Sequence, residues 1–205
     1  MPAKEVIHVL LPRIFCLVSS TDDLSALSDL AEVGVDGFQV RDKAATTREL
    51  VELTRVVLAA VRPFGATVVV DDRVDVALAT GADGVHLGAE DLPVELATTV
   101  APELIVGATC RDRAAVERAA AAGAAYAGFG PVFPTSSKAG LPPALGVPAI
   151  TAARGVLPLV AIGGIGAGRV RAALDAGAHG VAVLGAIWRE PDPVAAAEEL
   201  VQELG

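Results

Sequence analysis

Short runs of β-branched and small apolar residues alternate along the chain with longer segments whose apolar positions recur every three or four residues. The short runs fall at 14–18, 37–40, 67–70, 84–87, 104–108, 126–130, 159–162 and 180–184. Continuous apolarity over so few residues predicts strands covered on both faces, as in a parallel sheet. The longer segments, among them 48–62, 114–122, 169–176 and 194–204, predict amphipathic helices; the last opens on Asp192 and Pro193, an N-cap followed by a first helical residue. Eight strand–helix alternations in one chain of 205 residues predict a single (βα)8 TIM barrel, residues 1–205, with a short N-terminal extension over 1–12.

A quasi-repeat supports closure. GVDG at 34–37, GADG at 81–84, GAAY at 123–126 and GAHG at 177–180 precede the second, fourth, sixth and eighth runs. Glycine suits the left-handed residue that ends a helix, so the repeat marks turns at the bottom of the barrel. Chemistry in such a barrel gathers on the opposite face, in the loops after the strands. The long connection there is 131–143, rich in Pro, Ser and Gly and placed as a lid would be.

Composition narrows the classes. Hydrophobic residues make up 53% of the chain, enough for a large core, and aromatics only 3%, which suits a parallel sheet under Ala-rich helices. A formal net charge of −9 without a Lys/Arg cluster excludes nucleic acid and anionic membranes as partners. No apolar stretch free of charge and Gly reaches the roughly 18 residues of a membrane span. With only Cys16 and Cys110, both in apolar runs, the expectation is reduced thiols in the cytoplasm.

Polar residues collect at the predicted strand ends. Gln39 and Arg41 alternate to the same side after the second strand, with Lys43 beyond; an Arg–Lys pair suits phosphate oxygens and an amide suits a heterocycle edge. Asp71 and Asp72 follow the third strand, and Glu90 and Asp91 the fourth. Asp71 or Asp72 is expected to cap the helix after Arg73 and another carboxylate to coordinate Mg²⁺, which takes one or two carboxylates beside phosphate and water. Thr135, Ser136, Ser137 and Lys138 bring hydroxyls and a cation. Gly163–Gly164 and Leu184–Gly185 expose backbone N–H groups where barrels of this kind bind phosphate. His86 lies inside a strand and reads as a hydrogen-bonded structural residue, and Tyr126 and Trp188 read as packing groups. There is no Ser-His-Asp order and no Cys/His metal spacing, leaving metal-assisted chemistry on a phosphorylated small molecule.

The segments QVRDK at 39–43, DDRVDVALA at 71–79, GADGVHLG at 81–88 with Asp91, GPVFPTSSK at 130–138 and AIGGI at 161–165 resemble the thiamine-phosphate synthase family. The resemblance implies a transferase that couples 4-amino-2-methyl-5-hydroxymethylpyrimidine diphosphate to 4-methyl-5-(2-phosphooxyethyl)thiazole, or its carboxylate, through a carbocation-like step. The products are thiamine phosphate and pyrophosphate. It further implies that Gln39, Arg41 and Lys43 bind the pyrimidine diphosphate, Asp72 and Asp91 the Mg²⁺, and Lys138 the departing pyrophosphate. Thr109 would contact the diphosphate or the reacting pyrimidine, and Thr135, Ser137, Gly164, Leu184 and Gly185 the thiazole phosphate. Asp71 stands among the substrate-binding residues where the family usually has Asn, and Arg111 where His is common. A homodimer is expected by analogy. The alternatives are a thiazole tautomerase-like isomerase of the same superfamily and a catalytically silent barrel that binds phosphate ligands.

Overall fold

Residues 14–18 divide their side chains between two cores. Ile14, Cys16 and Val18 join the apolar layer under the helices, while Phe15 and Leu17 join a smaller cluster with Val69, Tyr126, Val160 and Ala182. The same alternation runs through every strand, so the smaller cluster is the inside of a barrel. A computed structural model describes residues 11–135, 140 and 142–205. Its strands are β1 (Ile14–Val18), β2 (Gly37–Val40), β3 (Thr67–Asp71), β4 (Gly84–Leu87), β5 (Ile105–Cys110), β6 (Tyr126–Phe129), β7 (Leu159–Ile162) and β8 (Gly180–Val183). All pair in parallel and in chain order, and β8 closes on β1 through Ile14↔Val181 to Cys16↔Val183.

The helices covering the barrel are α1 (Leu27–Glu32), α2 (Thr47–Val61), α3 (Val74–Thr80), α4 (Val94–Val100), α5 (Arg113–Ala121), α6 (Val147–Ala153), α7 (Val170–Asp175), α8 (Gly185–Trp188) and α9 (Pro193–Gln202). Three starts are written in the sequence. Thr46 and Glu49 form a capping box on α2, Asp112 accepts from the Ala115 N–H on α5, and Asp192 caps α9 ahead of Pro193. Each such cap is worth about 1 kcal/mol.

The expected boundaries shift by one or two residues. β5 begins at Ile105, because the Leu104 N–H turns back to the Ala101 carbonyl, and it runs on to Cys110, which pairs with Phe129. β3 gains Asp71, which pairs with His86. The repeat performs as read: Gly34, Gly81, Gly123 and Gly177 have φ of 109°, 69°, 95° and 107°. Its aspartates add a second function. Asp36 accepts from the N–H groups of Arg13 and Ile14, and Asp83 from that of Val68, so each fastens the start of the neighbouring strand.

Expected extension residues 1–10, and Ser137 and Lys138 of the long connection, lie outside the described residues. Cys16 and Cys110 are free and buried. Among the described residues no helix is long and apolar enough to cross a membrane.

Candidate active site

At the carboxyl end of β2, Gln39 and Arg41 do point to one side, and a carboxylate from β3 joins them. Asp71 Oδ1 accepts from Gln39 Nε2 at 2.7 Å, and Oδ2 pairs with Arg41 Nε at 2.9 Å. Sequence reasoning placed these three residues at the mouth but did not foresee that Asp71 bridges the other two. Their strand-end positions on neighbouring strands are the signal for it.

Lys43 forms an ion pair with Asp72. The loop that carries Lys43 is shaped by Asp42, which accepts from the Ser20 hydroxyl and from the N–H groups of Ala44 and Ala45. Those bonds, that of Ser20 first, hold the Asp42 carboxyl below its ordinary pKa. Asp72 has φ 64°, the one positive value outside glycine among the described residues, and its N–H donates to the His86 carbonyl. Strain of that kind persists only where surrounding bonds fix it, and it is concentrated at functional sites.

The expected capping by an aspartate is overturned. Arg73 occupies the N-cap of α3 with no side-chain cap bond; Asp71 is engaged with Gln39 and Arg41, and Asp72 with Lys43. Asp91, on the loop after β4, accepts from the Gly88 N–H through Oδ2 at 2.7 Å. Its other oxygen has no protein donor among the described residues. No group of three or more His, Cys, Asp or Glu side chains gathers for a metal among the described residues. The described residues thus build no closed protein cage; Asp72 and Asp91, on adjacent loops, are the carboxylates that could hold a hard cation drawing its remaining oxygens from phosphate and water.

Thr109 is exposed at the end of β5, and its hydroxyl lies 3.0 Å from Nε2 of His86. His86 is buried and bonded on both ring nitrogens, as expected of a structural histidine; burial lowers its pKa, and Asp71 and Asp91 partly offset this. Trp188 packs, as read, and also donates from Nε1 to the Leu17 carbonyl at 2.6 Å.

On the opposite rim, Gly163–Gly164 packs tightly on the loop after β6. A Cβ at Gly164 would lie 2.4 Å from the Pro134 carbonyl oxygen, and the Phe133 N–H donates to the Gly163 carbonyl. Thr135 is half-buried beside this contact in sequence, and Leu184 and Gly185 open α8. Arg111 secures both ends of the connection: its guanidinium donates to the carbonyls of Gly130 at 3.2 Å and Pro143 at 3.0 Å.

Fold and site together define a (βα)8-barrel enzyme with a mouth of alternating cations and carboxylates suited to an anionic substrate. The thiamine monophosphate synthase family matches over residues 9–187, and the chain belongs to it. It is 46% identical over 163 residues to the thiamine-phosphate synthase of Salinispora tropica, with 78% of each protein covered. It is 43% identical over 194 residues to the bifunctional protein ThiM/ThiE of Symbiobacterium thermophilum, matching 93% of this chain and 40% of the length of that relative. Thiamine phosphate pyrophosphorylase from Pyrococcus furiosus superposes with a TM-score of 0.85 at 35% identity, covering 94% of this chain and 95% of that one. Neither the tautomerase nor the silent-barrel alternative is favoured by these relatives.

Proposed function

We propose that the chain is a thiamine-phosphate synthase that joins a pyrimidine-methyl diphosphate to a thiazole phosphate. The observation that carries this reading is the set Arg41, Lys43, Asp72 and Asp91 on the loops after three successive strands: two cations and two hard carboxylates for a metal-bound diphosphate. In the reaction the bond between the pyrimidine methylene and the diphosphate oxygen breaks, and both electrons leave with pyrophosphate. The thiazole nitrogen lone pair then forms the new C–N bond. The nucleophile carries no proton to remove, so no general base is needed, which agrees with a site whose one buried histidine is engaged on both nitrogens.

Gln39 orients the pyrimidine edge. Arg41 and Lys43 neutralise the diphosphate, with Lys138 of the long connection completing the cationic set around pyrophosphate. Thr109 contacts the diphosphate side. Thr135, Ser137, Gly164, Leu184 and Gly185 hold the thiazole phosphate, so that the thiazole nitrogen is in line when the leaving group departs. Asp72 and Asp91 are the residues to hold Mg²⁺, which when bound adds positive charge against the developing pyrophosphate. Arg111 does not favour an isomerase: its guanidinium is committed to two backbone carbonyls and offers no proton shuttle. The free buried thiols support placement in the cytoplasm. The exposed Leu92, Leu96 and Val100 at and along α4 support a homodimer, which sedimentation would measure.

The decisive experiment supplies both phosphorylated substrates and Mg²⁺ and follows pyrophosphate release, with Asp91→Ala in parallel. Release by the unmodified chain and its loss in the variant are expected. Isomerisation of the thiazole carboxylate phosphate without coupling would replace this reading by the tautomerase.

A further inference from the structure

One polar line inside the barrel is not used by the reaction as written above. Asp71, His86, Gly107 and Tyr126 are register partners on four successive strands. Gly107 leaves room that the Tyr126 ring fills: a Cβ there would lie 2.1 Å from Cζ of Tyr126. The His86 and Tyr126 rings have centroids 5.5 Å apart, and the phenol oxygen is 3.1 Å from Nδ1 of His86. On the far side of the imidazole, Nε2 is 3.0 Å from Oγ1 of Thr109. Gly128, the register partner of Thr109, gives the imidazole its room, since a Cβ there would lie 2.6 Å from Cε1. Two missing side chains thus hold open a path from a phenol with 2% exposure, through a histidine with 8%, to an exposed threonine.

Proton positions along this path follow from burial. The Tyr126 hydroxyl has His86 Nδ1 as its one hydrogen-bond partner among the described residues. A buried O–H left without an acceptor costs more than an unused lone pair, so the phenol donates to Nδ1. Both rings are buried, which disfavours a charge on either, and an imidazole that accepts at Nδ1 is by that fact neutral. A neutral imidazole that accepts at Nδ1 carries its proton on Nε2 and donates it to Thr109. The hydrogen of the threonine hydroxyl cannot face Nε2–H and turns to the mouth. In the opposite tautomer the phenol hydrogen would confront Nδ1–H with nowhere to go.

We propose that Tyr126 and His86 are positioning residues that fix the Thr109 hydroxyl as a hydrogen-bond donor toward the acceptor oxygens of the phosphorylated substrate at the barrel mouth. The inference rests on the synthase reading for the identity of that substrate, and on the barrel interior alone for the orientation of the hydroxyl.

The test has two arms. Nitrogen NMR of the full chain, which has three histidines, reads the His86 tautomer directly, with His86→Gln giving the assignment. Nε2–H is expected in the unmodified protein at pH 7.5, and loss of that preference in Tyr126→Phe. An Nδ1–H tautomer or an imidazolium in the unmodified protein overturns the proposal. The second arm is a cycle of Tyr126→Phe and Thr109→Ala. Removing the phenol oxygen is expected to lower kcat for pyrophosphate release about fivefold, with KM for the thiazole phosphate unchanged, and to have no further effect once Thr109 is Ala. Thr109→Ser, which keeps the hydroxyl, is expected to retain the dependence on Tyr126. An equal loss in the Thr and Ala backgrounds overturns the proposal. If the unmodified chain releases no pyrophosphate, the functional reading fails; the tautomer, together with the affinity of the same four proteins for inorganic pyrophosphate, still decides this one.

Discussion

Arg41 and Asp71 are an ion pair at the barrel mouth, Nε to Oδ2 at 2.9 Å, and Gln39 holds the other carboxylate oxygen. The resemblance drawn from the sequence implies Asn where Asp71 stands, so this chain is expected to carry an extra negative charge beside the proposed diphosphate site. The geometry says where that charge goes: it is spent on Arg41, so under the proposed function a diphosphate would compete with Asp71 for the guanidinium.

Asp71→Asn tests the competition. The amide oxygen still accepts from Gln39, so the local shape is kept, while Arg41 is released. Opposite charges at contact distance near a protein surface attract by a few kcal/mol before solvent and ligand exchange are counted, and most of that cancels on exchange. The expected outcome is a KM for the pyrimidine diphosphate lowered about threefold, with the gain shrinking as salt rises. A KM that rises would show that Asp71 serves the ligand and not Arg41.

How much of this was legible before the structure depended on range. Strand and helix positions, the helix-ending glycines and the cap at Asp192 are written in residues close together, and they hold to within a residue or two. The mouth residues were also legible, since alternation alone sends Gln39 and Arg41 together. What could not be read is pairing across strands. Asp71 as bridge, Lys43 on Asp72 and Tyr126 on His86 all depend on the register between neighbouring strands, which closure of the barrel sets. The capping expectation failed for the same reason, because local propensity favours Asp at an N-cap and cross-strand partners had already claimed both aspartates.

Asp72 and Asp91 predict a graded metal requirement. If Asp72 and Asp91 hold Mg²⁺ as proposed, with no group of three or more acidic or His/Cys side chains gathered among the described residues, removal of Asp91 leaves one carboxylate and substrate phosphate and water to hold the ion. Chelation is expected to stop pyrophosphate release in the unmodified chain and added Mg²⁺ to restore it. For Asp91→Asn the Mg²⁺ concentration at half-maximal rate should rise about tenfold, consistent with the loss of one charged ligand. Titration of the rate with Mg²⁺ in both proteins reads this, and identical curves would remove Asp91 from the metal site.

Gly107 predicts a stability effect with a built-in control. A methyl there meets the Tyr126 ring at 2.1 Å, inside the packed barrel, and cannot be accommodated without moving the ring. Gly107→Ala is therefore expected to cost about 1–3 kcal/mol of unfolding free energy by urea denaturation. At Gly166 the nearest atom to a new Cβ is 3.7 Å away, so Gly166→Ala should fall within about 0.5 kcal/mol of the parent. Similar losses at both positions would mean that glycine acts at Gly107 through backbone freedom and not through space.

His86 sets the acid side of the stability profile. Burial holds its pKa below the ordinary 6.5, against a smaller upward pull from Asp71 and Asp91. The unfolded chain therefore takes up a proton near pH 6.5 that the folded chain refuses. The stability tied to His86 is fully present above 6.5 and is lost as pH falls toward its folded pKa, at no more than about 1.4 kcal/mol per pH unit for one proton. Asp42 and Asp75 are held below the usual carboxylate range by Ser20 and Arg73, so their contribution to acid loss begins only near pH 4. The interval from pH 6.5 to 5 thus isolates the histidine from these carboxylates. Urea midpoints across that interval are expected to fall in the unmodified chain and to flatten in His86→Gln, which lacks the titrating ring. A slope that survives the substitution would place the responsible proton elsewhere.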